Sequence, residues 1–167
     1  MNPTRIERPE RPSGATRAAK RPTPGLLALA FGLALACATA HAADPANEIP
    51  REKAPEGAAV YFIAPSDGEI LSSPVTVRFG LKGMGVAPAG VAYASTGHHH
   101  LILDTELPPL GLPVPSDENH IHFGKGQTEV DLELPPGEHT LQLLLGDKNH
   151  VPHDPPVVSE RITIRVK

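Results

Sequence analysis

Short runs in which apolar and polar residues alternate one for one, each closed by proline or glycine, limit what this chain can fold into. The clearest is 74–83. Val75, Val77, Phe79 and Leu81 share one face there, and Thr76, Arg78, Gly80 and Lys82 share the other. That period of two belongs to a half-buried strand. The same pattern recurs at 128–134, where Val130, Leu132 and Leu134 alternate with Glu129, Asp131 and Glu133, and near the end with Ile162, Ile164 and Val166. Apolar runs at 59–63, 98–104, 120–123 and 139–145 add four more candidates, and 157–166 is the last. With 20 prolines and 15 glycines in 167 residues, turns are frequent and long helices disfavoured. About seven short strands with turn signals between them predict an all-β fold, an immunoglobulin-like antiparallel β-sandwich. Tryptophan is absent and aromatics make up 4%, so its core must be aliphatic.

The first 42 residues read differently. Arg5, Arg8, Arg11, Arg17, Lys20 and Arg21 precede an apolar run, 26–35, which gives way to small residues. This is the layout of a secretory signal peptide, with Ala40-His41-Ala42 or Ala38-Thr39-Ala40 as the cleavage site. The run falls short of the roughly 20 residues that span a bilayer. Residues 1–42 are therefore read as a signal, 43–57 as a flexible linker and 58–167 as the sandwich domain. A periplasmic or secreted chain with no transmembrane segment follows. A lipid anchor on Cys37, the only cysteine, is a minor variant, because Ala34 stands where a lipobox has leucine. Removing the signal leaves no thiol for a disulfide or a thiolate ligand. It also takes away 6 of the 15 basic residues and 2 of the 19 acidic ones, so the remainder carries 9 and 17. An acidic chain without a basic patch excludes nucleic acid and anionic lipid as electrostatic partners.

Eight of the nine histidines lie from residue 98 onward. Strand parity puts His98 and His100 on one side of their strand and His99 on the other, with Leu101 and Leu103. His120 and His122 pair in the same way. In an immunoglobulin-like order the third and sixth strands are antiparallel neighbours. His98–His100, His120–His122 and the loop carrying His150 and His153 then converge at one end. The candidate metal ligands are thus His98, His100, His120, His122, His150 and His153. His99 and His139 are expected to be packed and hydrogen-bonded, His139 at the opposite end. Imidazoles without thiolate suit Cu(II) or Zn rather than Cu(I), since Met84 is the only methionine past the signal. Asp147 and Asp154 are read first as turn and loop residues, and second as support for such a site. There is no G-x-S-x-G, no H-E-x-x-H and no phosphate-binding glycine loop, so a non-enzymatic protein is favoured. Three other readings stay open: a metal-free interaction module of the envelope with a protein partner, a zinc-dependent hydrolase, and a copper brace at an N-terminal His41.

GHHHLILD, HIHFGKGQTEVDLELPPGEHTLQLLLGD, NHVPHDPPVVSERITI and APSDGEILSSPVTVRFGLKGMGVAPAGV together resemble a domain-of-unknown-function family of exported bacterial proteins, over 59–166. The resemblance implies export, a β-sandwich and these domain bounds, and assigns no catalytic residue. Some members carry a rod-shape-determining label, but nothing here resembles a polytopic membrane protein.

Overall fold

The computed structural model describes residues 49–167. The expected signal segment, with Cys37 and His41, lies outside them, as does the first part of the expected linker. Nine strands follow among the described residues, with no helix: β1 (Ala59–Ala64), β2 (Ile70–Leu71), β3 (Val75–Lys82), β4 (Gly85–Val86), β5 (Thr96–Leu103), β6 (His120–His122), β7 (Glu129–Leu132), β8 (Gly137–Gly146) and β9 (Ile162–Val166). The seven expected strands are all present, and β2 and β4 add two residues each. Nothing in the described part is a helix long and apolar enough to cross a membrane.

Two sheets face each other. One has the order β1-β3-β7, antiparallel throughout. The other runs β2-β9-β8-β5-β4, with β6 paired to β5 beside β4. The alternation read from the sequence supplies the core between them. Val60, Val75, Val77, Phe79 and Leu132 come from the first sheet. Leu101, Leu141, Leu143, Leu145, Ile162, Ile164 and Val166 come from the second. The expected sixth strand, β8, is indeed the antiparallel neighbour of β5, which fixes where the histidines meet.

Two features depart from expectation. First, alternation in burial breaks down at one end of the second sheet. Gly97 through Ile102 and Leu143 through Gly146 are buried on both faces. The irregular segment 105–119 lies over the outer face, where Leu107, Leu110 and Val114 pack on Ile102, Leu144 and Val158 in a second small core. Second, the expectation of a flexible linker over 43–57 does not hold at 51–54. Lys53 forms a parallel bridge with Asp154, Ala54 N–H donates to Asp154 O at 3.0 Å and Asp154 N–H to Glu52 O at 2.8 Å. The Arg51 guanidinium donates to the carbonyls of Pro152 and His153. Backbone groups that find partners on the domain do not remain a free tether.

Candidate metal centre

The site is built from strand register. His98 and His100 stand two residues apart on β5 and so share a face. Pairing sets His100 opposite His122 of β6, and His98 opposite Gly146 of β8. Their ring centres are 4.8 Å (His98–His100), 4.9 Å (His98–His122) and 5.1 Å (His100–His122) apart. One nitrogen from each of the three falls within 4.8 Å of the others. Two glycines make room for this crowding. A Cβ at Gly124 would stand 2.3 Å from His122 Cε1, and one at Gly146 would stand 2.7 Å from His100 Cε1. The rings therefore lie directly over peptide backbone.

His150 joins them from the turn after β8. Its ring centre is 4.7 Å from His122, 5.0 Å from His98 and 6.1 Å from His100. Asp147 holds that turn. Its Oδ1 accepts from Asn149 N–H at 2.7 Å and Val151 N–H at 3.0 Å, while its carbonyl accepts from His150 N–H at 2.9 Å. His150 takes φ 68° in consequence, a left-handed conformation uncommon outside glycine.

The electrostatics favour neutral rings. His98 and His100 are 0% and 1% exposed, because 105–119 covers the face that the sequence leaves open. No ring nitrogen of either has a hydrogen-bond partner, nor does Nε2 of His122. Burial pushes His98 down to about 4, and repulsion by His122 and His150 adds to it. His100 is pushed down to about 2 by burial, then by His98 and His122. His122 is lowered too, by burial and then by His150. Metal-ligating histidine is the neutral form, so these rings need not lose a proton to bind at pH 7. Each orphaned buried polar group costs about 1–3 kcal/mol, and five such nitrogens gathered in one place are unusual in a native interior. A cleft of about 320 Å³ opens onto His100, His122 and His150, walled by Val114, Pro115 and Ser116.

The other histidines stand apart. His120 shares the strand face of His122, but its Nδ1 is 2.8 Å from Asp117 Oδ1 and it pairs with Ile102, one step along β5. His153 is buried, with its Cε1 3.0 Å from where a Cβ of Gly97 would be. Gly97 shares the face of His99, so His153 reaches β5 from the side away from the triad. His99 packs on Phe79, ring centres 4.8 Å apart. Burial pushes it down to about 4, against a weaker pull from the Gln127 backbone, though neither of its nitrogens makes a well-formed hydrogen bond. It is packed as expected, but not hydrogen-bonded. His139 is both, with Nδ1 donating to Asp104 at 2.7 Å and Nε2 to Pro135 O at 2.9 Å. Two acceptors require two N–H groups, so that ring is an imidazolium; burial opposes its charge, but Asp104 and Pro135 raise it above the usual range. Asp154 is an exposed partner of Arg51. Sequence reasoning missed Gly124 and Gly146, although a glycine two residues past His122 is a visible signal that something must lie flat there.

A family profile described as a domain of unknown function, DUF4399, matches residues 77–167. The chain belongs to the DUF4399 family. The DUF4399 match takes in β5, β6, β8 and the turn of His150, and so every ring of the cluster. No curated protein matches the chain in sequence. Among solved structures, an endo-β-1,4-mannanase from Thermotoga petrophila is similar at a TM-score of 0.39 and 19% identity, over 74% of this chain. The chain spans 21% of that structure's length.

Proposed function

We propose that this DUF4399 protein is an exported, non-enzymatic β-sandwich that binds one divalent transition metal, Zn or Cu(II), through His98, His100 and His122. The observation that carries the reading is the convergence of three nitrogens within 4.8 Å, on rings that burial keeps neutral and that find no other partner. The donor set is all imidazole nitrogen, which suits Zn and Cu(II) and disfavours Ca(II) or Mg(II). A metal-free module leaves these orphaned nitrogens without a purpose, at a cost in stability. Hydrolysis would call for an acid or base beside the ion, and no carboxylate lines the cleft. Export rests on the layout of residues 1–42. In the periplasm or outside the cell, such a protein would buffer or carry the ion. The test is the double substitution His100→Ala, His122→Ala, which abolishes stoichiometric binding. Unchanged affinity in the double variant would overturn the assignment.

A further inference from the structure

The ring positions say more than that a metal fits. For an ion–nitrogen distance of about 2.0–2.1 Å, a ring centre lies ~3.2 Å from the ion, so four rings in a tetrahedron have centres ~5.2 Å apart. A square plane would give four separations of ~4.5 Å and two of ~6.4 Å at the same bond length. The six separations among His98, His100, His122 and His150 are 4.7, 4.8, 4.9, 5.0, 5.1 and 6.1 Å. Five are nearly equal, as a tetrahedron requires, and one is long. The long one joins His150 to His100.

His150 also differs from the other three in how it is held. His98 and His100 are fixed by strand pairing on β5 and His122 by pairing on β6. His150 sits on a turn, partly exposed, at the rim of the cleft. The nitrogens that already converge belong to the three strand residues, and His150 adds its ring but no nitrogen to that set. Its backbone is nonetheless pinned. Asp147 caps the turn, His150 O accepts from Val114 N–H at 2.9 Å, and Lys148 is paired with Glu52 of the N-terminal segment. Of the four rings, that of His150 alone is carried by a turn rather than held by strand pairing.

We propose that the site is a closed, tetrahedral four-histidine centre for Zn(II), in which His150 engages last and leaves first. This rests on the metal-binding reading above. Tetrahedral coordination matches the preference of Zn(II), and four protein ligands leave no position for a substrate or an activated water. The centre therefore holds or hands on its ion rather than using it as a catalyst. The cleft gives the incoming ion, or an accepting ligand, access to the donor carried on the turn, beside His100 and His122.

The experiment uses the untagged protein, Co(II) as a spectroscopic stand-in and Zn(II) in competition with a chelator. The variant is His150→Asn, because asparagine tolerates the left-handed backbone at this position. Exposed Asn149→Ala is the control. Wild type is expected to show the intense visible absorption of four-coordinate Co(II). His150→Asn should change that spectrum as water takes the fourth position, fall in Zn(II) affinity by at least the ~10–100-fold that loss of a supporting group costs, and surrender the ion faster to the chelator. Asn149→Ala should match wild type. A His150→Asn protein with wild-type spectrum, affinity and exchange rate overturns the four-histidine centre and leaves the triad intact. A wild type that takes up neither ion stoichiometrically overturns the metal-binding reading itself, and this inference with it.

Discussion

Acid should destabilise the metal-free protein well before its carboxylates protonate. The perturbation is a shift from pH 7 to pH 5. In the unfolded chain a histidine titrates near 6.5, whereas in the folded chain His98 and His99 titrate near 4 and His100 near 2. Because the folded values lie below the unfolded one, the unfolded state takes up protons first. Stability is then complete above about pH 7.5 and is lost as pH falls. At pH 5 each unfolded ring has gained ~2 kcal/mol from protonation that its folded counterpart has not, at 1.36 kcal/mol per pH unit. Three rings give about 6 kcal/mol. His139 offsets part of this, since its folded value is raised and its contribution is fully present below 6.5. A net loss of about 5 kcal/mol is a large share of a total that is usually 5–15 kcal/mol. At ~4 °C per kcal/mol for a domain of this size, the thermal midpoint should drop by about 20 °C. The assay is circular-dichroism melting in a chelating buffer at half-unit pH steps. A midpoint that is level or rises between pH 7 and pH 5 would refute the claim that these rings are held neutral by burial.

Further outcomes follow from single contacts. Gly124→Ala and Gly146→Ala push a methyl into the rings of His122 and His100, so metal affinity should fall at least tenfold while the melting midpoint moves by only a few degrees; calorimetric titration and melting together separate the two effects. Asp104→Asn removes the charged partner of His139 and should cost ~1–2 kcal/mol near pH 6, toward the low end for charged hydrogen bonds because Asp104 is partly exposed. That cost should shrink as pH rises, because His139 loses its proton as pH passes its raised folded value; urea unfolding in mildly acidic and in alkaline buffer measures it. Leu144→Ala, at a fully buried position in the small outer core, should cost about 2–5 kcal/mol and expose the histidine face, readable as lower stability and faster amide exchange at His98 and His100.

Much of the fold could be read from the residues, for a physical reason. Period-two alternation is imposed by a core on one side, and 74–82, 129–132 and 162–166 carry it because their outer faces meet solvent. The parity of the triple histidine followed from Leu101 and Leu103, and the pairing of β5 with β8 then brought His98, His100, His122 and His150 together. What escaped was the burial. Residues 105–119 have no strand period, so nothing along them announces a cover, although Leu107, Leu110 and Val114 are spaced three and four apart and pack on Ile102 and Leu144. That cover turns an outward face into a dry one and lowers the histidine pKa values. With rings already neutral, binding in mild acid should be limited by the stability of the fold rather than by protonation of the ligands. His120 and His153 illustrate the other limit. Sequence spacing placed them with the cluster, but Asp117 takes His120, and His153 reaches β5 from the opposite side. Such partner choices are settled by side-chain geometry that spacing does not encode. The docking of 51–54 on the 152–154 loop was hidden in the same way, because a polar, proline-bearing stretch reads as tether until its backbone finds a partner.

Calorimetric titration of the untagged protein with Zn(II) and with Cu(II) at pH 7, followed by melting with and without the ion, tests the central claim most directly. The account requires one ion per chain at submicromolar affinity, more favourable than about −8.2 kcal/mol. It also requires a stabilisation of about 2.7 kcal/mol at a hundredfold excess over the dissociation constant. Several weak equivalents with no rise in the melting midpoint would contradict it, and would make the buried histidines a packing feature rather than a metal centre.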